Sequence, residues 1–160
     1  MKKTLSLVFT LLVSITALAH DYRLDQLEVD HPWSRPTPPN TQVGGGFMTI
    51  TNHGETSDRL ISVEVDFART VEIHETRQEG ELMRMVHLPE GLEIPAGATV
   101  NLQPGGHHVM FMGLSQQLRE GEHLEAVLVF EQAGNLPVLF HVEARSGGHN
   151  HGHDHGHDHH

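Results

Sequence analysis

Histidine and methionine alternating along one short stretch are the residues of this 160-residue chain whose types and spacing could do chemistry. In Pro104-Gly-Gly-His107-His108-Val109-Met110-Phe111-Met112-Gly113, a period of two sends His107, Val109 and Phe111 to one face of a strand. His108, Met110 and Met112 then share the other face. Val109 and Phe111 are core residues by type. The opposite face carries an imidazole beside two thioethers, a soft, electron-rich set suited to copper and above all to Cu(I).

Two further stretches divide their faces in the same way. Val71 and Ile73 can face a core, which leaves His74 outward. Leu82, Val86 and Leu88 share one face, broken by Arg84, and leave Met83, Met85 and His87 on the other. A lone methionine ordinarily fills a gap in a core, and a lone strand histidine is ordinarily a surface or hydrogen-bonded residue. Three strands with coincident faces weigh against packing alone. Two imidazoles and two thioethers complete a four-coordinate shell without thiolate, which favours Cu(I) over Zn(II).

Short strands separated by Gly and Pro turns must position these residues. Candidate strands run over 27–29, 47–51, 59–65, 70–74, 82–88, 92–94, 99–102, 107–112, 124–130 and 137–142, and no long amphipathic helix is evident. This pattern predicts an all-β, Greek-key antiparallel β-sandwich. His31-Pro-Trp-Ser-Arg-Pro-Thr-Pro-Pro39 reads as an edge or connecting segment, because proline cannot serve a central ladder, and its Trp33 as a core anchor.

The ends of the chain read differently. Met1-Lys2-Lys3, an apolar run to Thr16 and Ala17-Leu18-Ala19 have the form of a secretory signal peptide cleaved after Ala19. The expectation is an exported, periplasmic protein without membrane insertion. Its domain spans 20–146, enough chain for one core. With residues 1–19 removed, both lysines go, and eight arginines remain against 21 acids, a formal charge of −13 with neutral histidines. Such a surface repels nucleic acid and attracts cations. There is no cysteine, so no disulfide staples the fold and no thiolate can bind metal. From residue 147 the composition turns to Gly, Asp and His. His149, His151, His153, His155, His157, His159 and His160 form a flexible tail whose imidazoles suit Cu(II), Zn(II) or Ni(II).

His74, ten intervening residues, Met85, then His108-x-Met110 resembles the H-x10-M-x21-H-x-M signature of the periplasmic copper chaperone family PCu(A)C. The resemblance extends over His31-Pro-Trp-Ser-Arg35, Val43-Gly-Gly-Gly46, Ile94-Pro-Ala-Gly97 and Met110-Phe-Met-Gly-Leu114. The sequence departs at one point: 22 residues separate Met85 from His108, which a one-residue insertion in the turn near Leu88–Gly91 would absorb. The resemblance implies a cupredoxin-like β-sandwich with Cu(I) on His74, Met85, His108 and Met110. It also implies delivery of copper towards the CuA centre of cytochrome c oxidase, with the oxidase subunit or Sco-type assembly proteins as partners and a monomeric, non-enzymatic carrier.

Three other readings compete. Cleavage after Ala19 would give His20 a free amine able to chelate Cu(II), as oxidative copper enzymes do, but one Trp and one Tyr offer little aromatic platform for a substrate. A blue-copper electron carrier needs a cysteine thiolate. A general Cu(II)/Zn(II) scavenger or copper-resistance protein working mainly through the tail is the strongest rival.

Overall fold

The computed structural model describes residues 21–144, and every regular element among them is a β-strand. In chain order these are β1 (Asp21–Leu24), β2 (Leu27–Ser34), β3 (Val43–Asn52), β4 (Asp58–Val65), β5 (Ala68–Glu79) and β6 (Leu82–His87). β7 (Leu92–Ile94), β8 (Thr99–Leu102), β9 (His107–Leu114), β10 (His123–Phe130) and β11 (Gly134–Val142) complete the set. The expected signal peptide, His20 and the histidine-rich tail lie outside the described residues.

The strands join in the order β6-β5-β9-β8-β3-β2-β11-β10-β4-β7, with β1 on β2 and a direct β3–β9 pairing. Alternation along most of the strands buries one face. Val109 and Phe111 of β9, Ile50 of β3, Leu128 of β10 and Phe140 of β11 meet in a single core. Most pairings are antiparallel, as the turn pattern implies. Two are parallel: β11 beside β2, and a single Leu102–His107 pair between β8 and β9. The β11–β2 pair joins strands from the beginning and end of the described residues, a connection that local hairpin signals cannot reveal.

Two local expectations need correction. The start of the proline-rich stretch, His31–Ser34, is not an edge, because it belongs to β2, which lies between β3 and β11; residues 35–39 do connect β2 to β3, as expected. The β2–β3 register shifts between Asp30 and Trp33, and His31 has φ of 47°. Pro32 therefore sits in a bulge where its missing N–H breaks no ladder bond. Trp33 is buried, but it packs on Phe47 with ring centres 4.7 Å apart instead of joining the main cluster. The second correction concerns β6. Its supposed core residue Leu82 is largely exposed, because β6 is the sheet's outermost strand and extends past the core with the end of β5.

The Gly44-Gly45-Gly46 run brings β3 close to β9 and β11. A Cβ on Gly46 would lie 2.9 Å from both the Phe111 and the Phe140 rings. Gly46→Ala should therefore overpack the core and cost about 1–3 kcal/mol, measurable as a lower midpoint in urea at unchanged slope.

Candidate metal centre

β5 runs between β6 and β9, so the three strands that carry the candidate ligands are neighbours. Their registers fix which side chains share a face. His74 stands opposite His87 of β6 on one side and His108 of β9 on the other. Thr76 pairs with Met85, and Glu72 pairs with Met110, which also faces Gly45 of β3. Directly paired residues project to the same side of a sheet. His74, Met85, His108 and Met110 therefore lie on one face, opposite Ile73, Val109 and Phe111. The His74 and His108 ring centres are 5.6 Å apart. Met85, His108 and Met110 line a common depression floored by Gly45 and Phe47.

The same registers separate the neighbours. His107 pairs with Glu75 on the opposite side of the sheet, its Nε2 3.9 Å from the Glu75 carboxylate. Met112 pairs with Thr70 and Val43, two residues further along β9 than Met110. Met83 stands opposite Gln78, towards the exposed end of the β5–β6 hairpin.

Burial divides the four candidates. His74 and His108 are only 9 % and 6 % exposed, whereas Met85 is 58 % exposed. Each buried imidazole is held through one nitrogen and open at the other. His74 Nε2 lies 2.7 Å from Glu72 Oε2; a carboxylate accepts, so Nε2–H donates and Nδ1 keeps its lone pair. His108 Nδ1–H donates to the Gly106 carbonyl at 3.3 Å, leaving its lone pair on Nε2. His74 Nδ1 and His108 Nε2 are both buried without a hydrogen-bond partner. A buried acceptor without a partner is costly and calls for an explanation, and a metal ion is one. Carboxylate or carbonyl bonds at the far nitrogen are how metal-binding imidazoles are commonly oriented. Burial holds the His108 pKa below its ordinary value; the Gly106 bond opposes this, and the nearby His74 and His107 reinforce it.

Residues 27–142 match the family model described as "Putative lipoprotein LpqE-like". The chain belongs to this LpqE-like, PCu(A)C family. Among its relatives, "Putative lipoprotein Lxx21020" of Leifsonia xyli is 28% identical over 123 residues, 77% of this chain and 73% of that protein. Among solved structures, the copper-bound PCuAC domain from PmoF2 is 28% identical with a TM-score of 0.67, over 79% of this chain and 99% of that one. Cu(I)-bound DR1885 from Deinococcus radiodurans is 27% identical with a TM-score of 0.60, over 81% and 85%. The cupredoxin-like β fold expected from the sequence is the fold these PCu(A)C domains share.

In this PCu(A)C chain the structure adds two residues that sequence reasoning left out of the site. Glu72 orients His74, and its position two before His74 on a strand placed it on the same face. His87, two after Met85, has its ring centre 5.5 Å from that of His74 and its Nδ1 3.9 Å from Glu72 Oε2.

The metal-free protein should show fixed tautomers by 15N NMR, with His74 protonated at Nε2 and His108 at Nδ1. His108 should titrate below 6.5, the usual histidine value. Between its lowered folded-state pKa and 6.5 the unfolded chain binds a proton that the folded chain refuses, so this residue's contribution to stability falls as pH drops through that interval.

Proposed function

We propose that this protein is a copper chaperone that binds Cu(I) through His74, Met85, His108 and Met110 and hands it on. The observation that carries the reading is the pair of buried, hydrogen-bond-free nitrogens, His74 Nδ1 and His108 Nε2, on one face with the thioethers of Met85 and Met110. Copper is the cargo. Among the described residues, no three His, Cys, Asp or Glu side chains form a metal cluster by themselves, so a site here draws on thioethers. Imidazole and thioether together suit a soft monovalent ion. The copper-bound PmoF2 domain and Cu(I)-bound DR1885 support the choice of metal.

The division of burial suits transfer. His74 and His108 supply two preorganised donors that exchange little with water. Met85 sits on an exposed edge strand, where an acceptor's ligand can displace a neutral thioether without first opening the core. A thiolate cage would hold Cu(I) more tightly and release it less readily. The role proposed for this face is carriage of copper.

The finer parts of the reading rest on family likeness and on sequence. The acceptor would be the copper-site subunit of cytochrome c oxidase or a Sco-type assembly protein, met by a monomer in the periplasm. The relatives' description as lipoproteins supports an envelope location. The tail histidines His149 to His160 would capture Cu(II) and raise local copper. That tail also supports the rival reading of a Cu(II)/Zn(II) scavenger.

Cu(I) titration against a competing chelator separates the two. A chain ending at Arg145 should keep full Cu(I) affinity, whereas Met85→Leu combined with Met110→Leu should lose tight binding. Glu72→Gln should weaken Cu(I) by roughly 10–100-fold, the usual effect of removing an orienting carboxylate. Loss of Cu(I) binding on tail removal, with the methionine variant unaffected, would favour the scavenger.

A further inference from the structure

A second group of imidazoles stands on the same outer surface, on β2, β11 and β10, away from the candidate copper ligands on β6, β5 and β9. His123 of β10 and His141 of β11 are direct cross-strand partners, with ring centres 4.2 Å apart. The His31 ring, from the bulge of β2, lies nearly parallel to that of His141 with centres 6.4 Å apart. Its Nε2 is 2.8 Å from Glu143 Oε1. These residues are far apart in sequence, and the β2–β11–β10 pairing alone assembles them.

We propose that His31, His123 and His141 form a second metal site, for a divalent cation of the Zn(II) or Cu(II) kind, with Glu143 orienting His31. Three features support it. The donor set contains imidazole and carboxylate but no thioether, which suits borderline divalent ions and not Cu(I). A tetrahedral ion with bonds of about 2.1 Å places the centres of its imidazoles roughly 5 Å apart, and the observed 4.2 and 6.4 Å bracket that spacing. His31 is held at φ of 47°, a left-handed conformation that non-glycine residues adopt sparingly; the bulge turns its ring towards His141. The side chains do not yet converge as a metal shell, so the ion would draw in His123, whose ring is exposed. The surrounding chain is strongly acidic, which concentrates cations at its surface. Only five residues separate Glu143 from His149, so a tail-held divalent ion has a receiving group close by along the chain.

The site differs from the copper site in residues, face position and metal class, so the two can be tested apart. Among the described residues every buried core residue lies between Leu27 and Val142, so a chain ending at Arg145 should keep the fold and removes the tail's own binding. Zn(II) and, separately, Cu(II) are titrated calorimetrically into that chain, with histidine ring NMR signals followed in parallel. We expect one equivalent of either ion to perturb the His31, His123 and His141 rings. His123→Asn and His141→Asn should each weaken binding roughly tenfold or more. His74→Asn combined with His108→Asn should leave it intact. His31→Asn, which tolerates the same backbone conformation, should also weaken it. Should His141→Asn disturb folding, the exposed His123 carries the test. Perturbation confined to His74, His87 and His108, or affinity unchanged in His123→Asn, would overturn the proposal.

Discussion

The register of β5 against its two neighbours is the constraint on which the rest depends. His74 is paired on both sides, with His87 and with His108, and this single row fixes which side chains meet. A slip of one residue along β9 would turn His108 and Met110 to the core face and bring His107 to the surface. The hydrophobic pattern forbids that slip, because it would also expel Val109 and Phe111, both fully buried. The site is thus specified by the same apolar alternation that closes the core. Copper chemistry and folding place no conflicting demands on β9.

The two histidines and Met85 stand in different surroundings. Glu72 and the Gly106 carbonyl each occupy one imidazole nitrogen and leave the other bare. Burial then favours the neutral imidazole at His108, the form that can donate a lone pair. Preorganisation of this kind lowers the reorganisation needed to bind an ion. Met85 is the opposite case, carried by an edge strand with solvent on both faces. Three of the four candidate ligands thus lie on the interior strands β5 and β9, and Met85 alone stands on the open outermost strand.

Much of this was legible in the sequence, and the missing parts have physical causes. Period-two alternation assigned His74, Met85, His108 and Met110 to outward faces without any knowledge of the fold. It could not order the strands, because hairpin signals report only local neighbours, whereas β5–β9 and β2–β11 join distant segments. Proline rules placed His31–Pro39 outside a central strand, and the bulge at Pro32 shows how that rule is satisfied inside one. Leu82 was assigned a core that β6 does not reach. Glu72 was visible as an outward neighbour of His74, but a carboxylate two residues from an imidazole is common, and only the 2.7 Å contact distinguishes it.

The two imidazole groups share one continuous surface, and what lies between them keeps them distinct. Crossing the sheet from β9, Met110 faces Gly45, whose next neighbour on that side is Phe47; Phe47 pairs with Trp33, Trp33 with His141, and His141 with His123. Phe47 and Trp33 are both largely buried although they point away from the main core. Their tilted, closely packed rings insert a desolvated apolar step between the two sets of donors. Such a step has no lone pair to offer a migrating cation and is costly for a bare charge to cross. An ion on one side therefore reaches the other through solvent or through another chain, not along the sheet. The copper site and the divalent site proposed above would therefore load independently of each other.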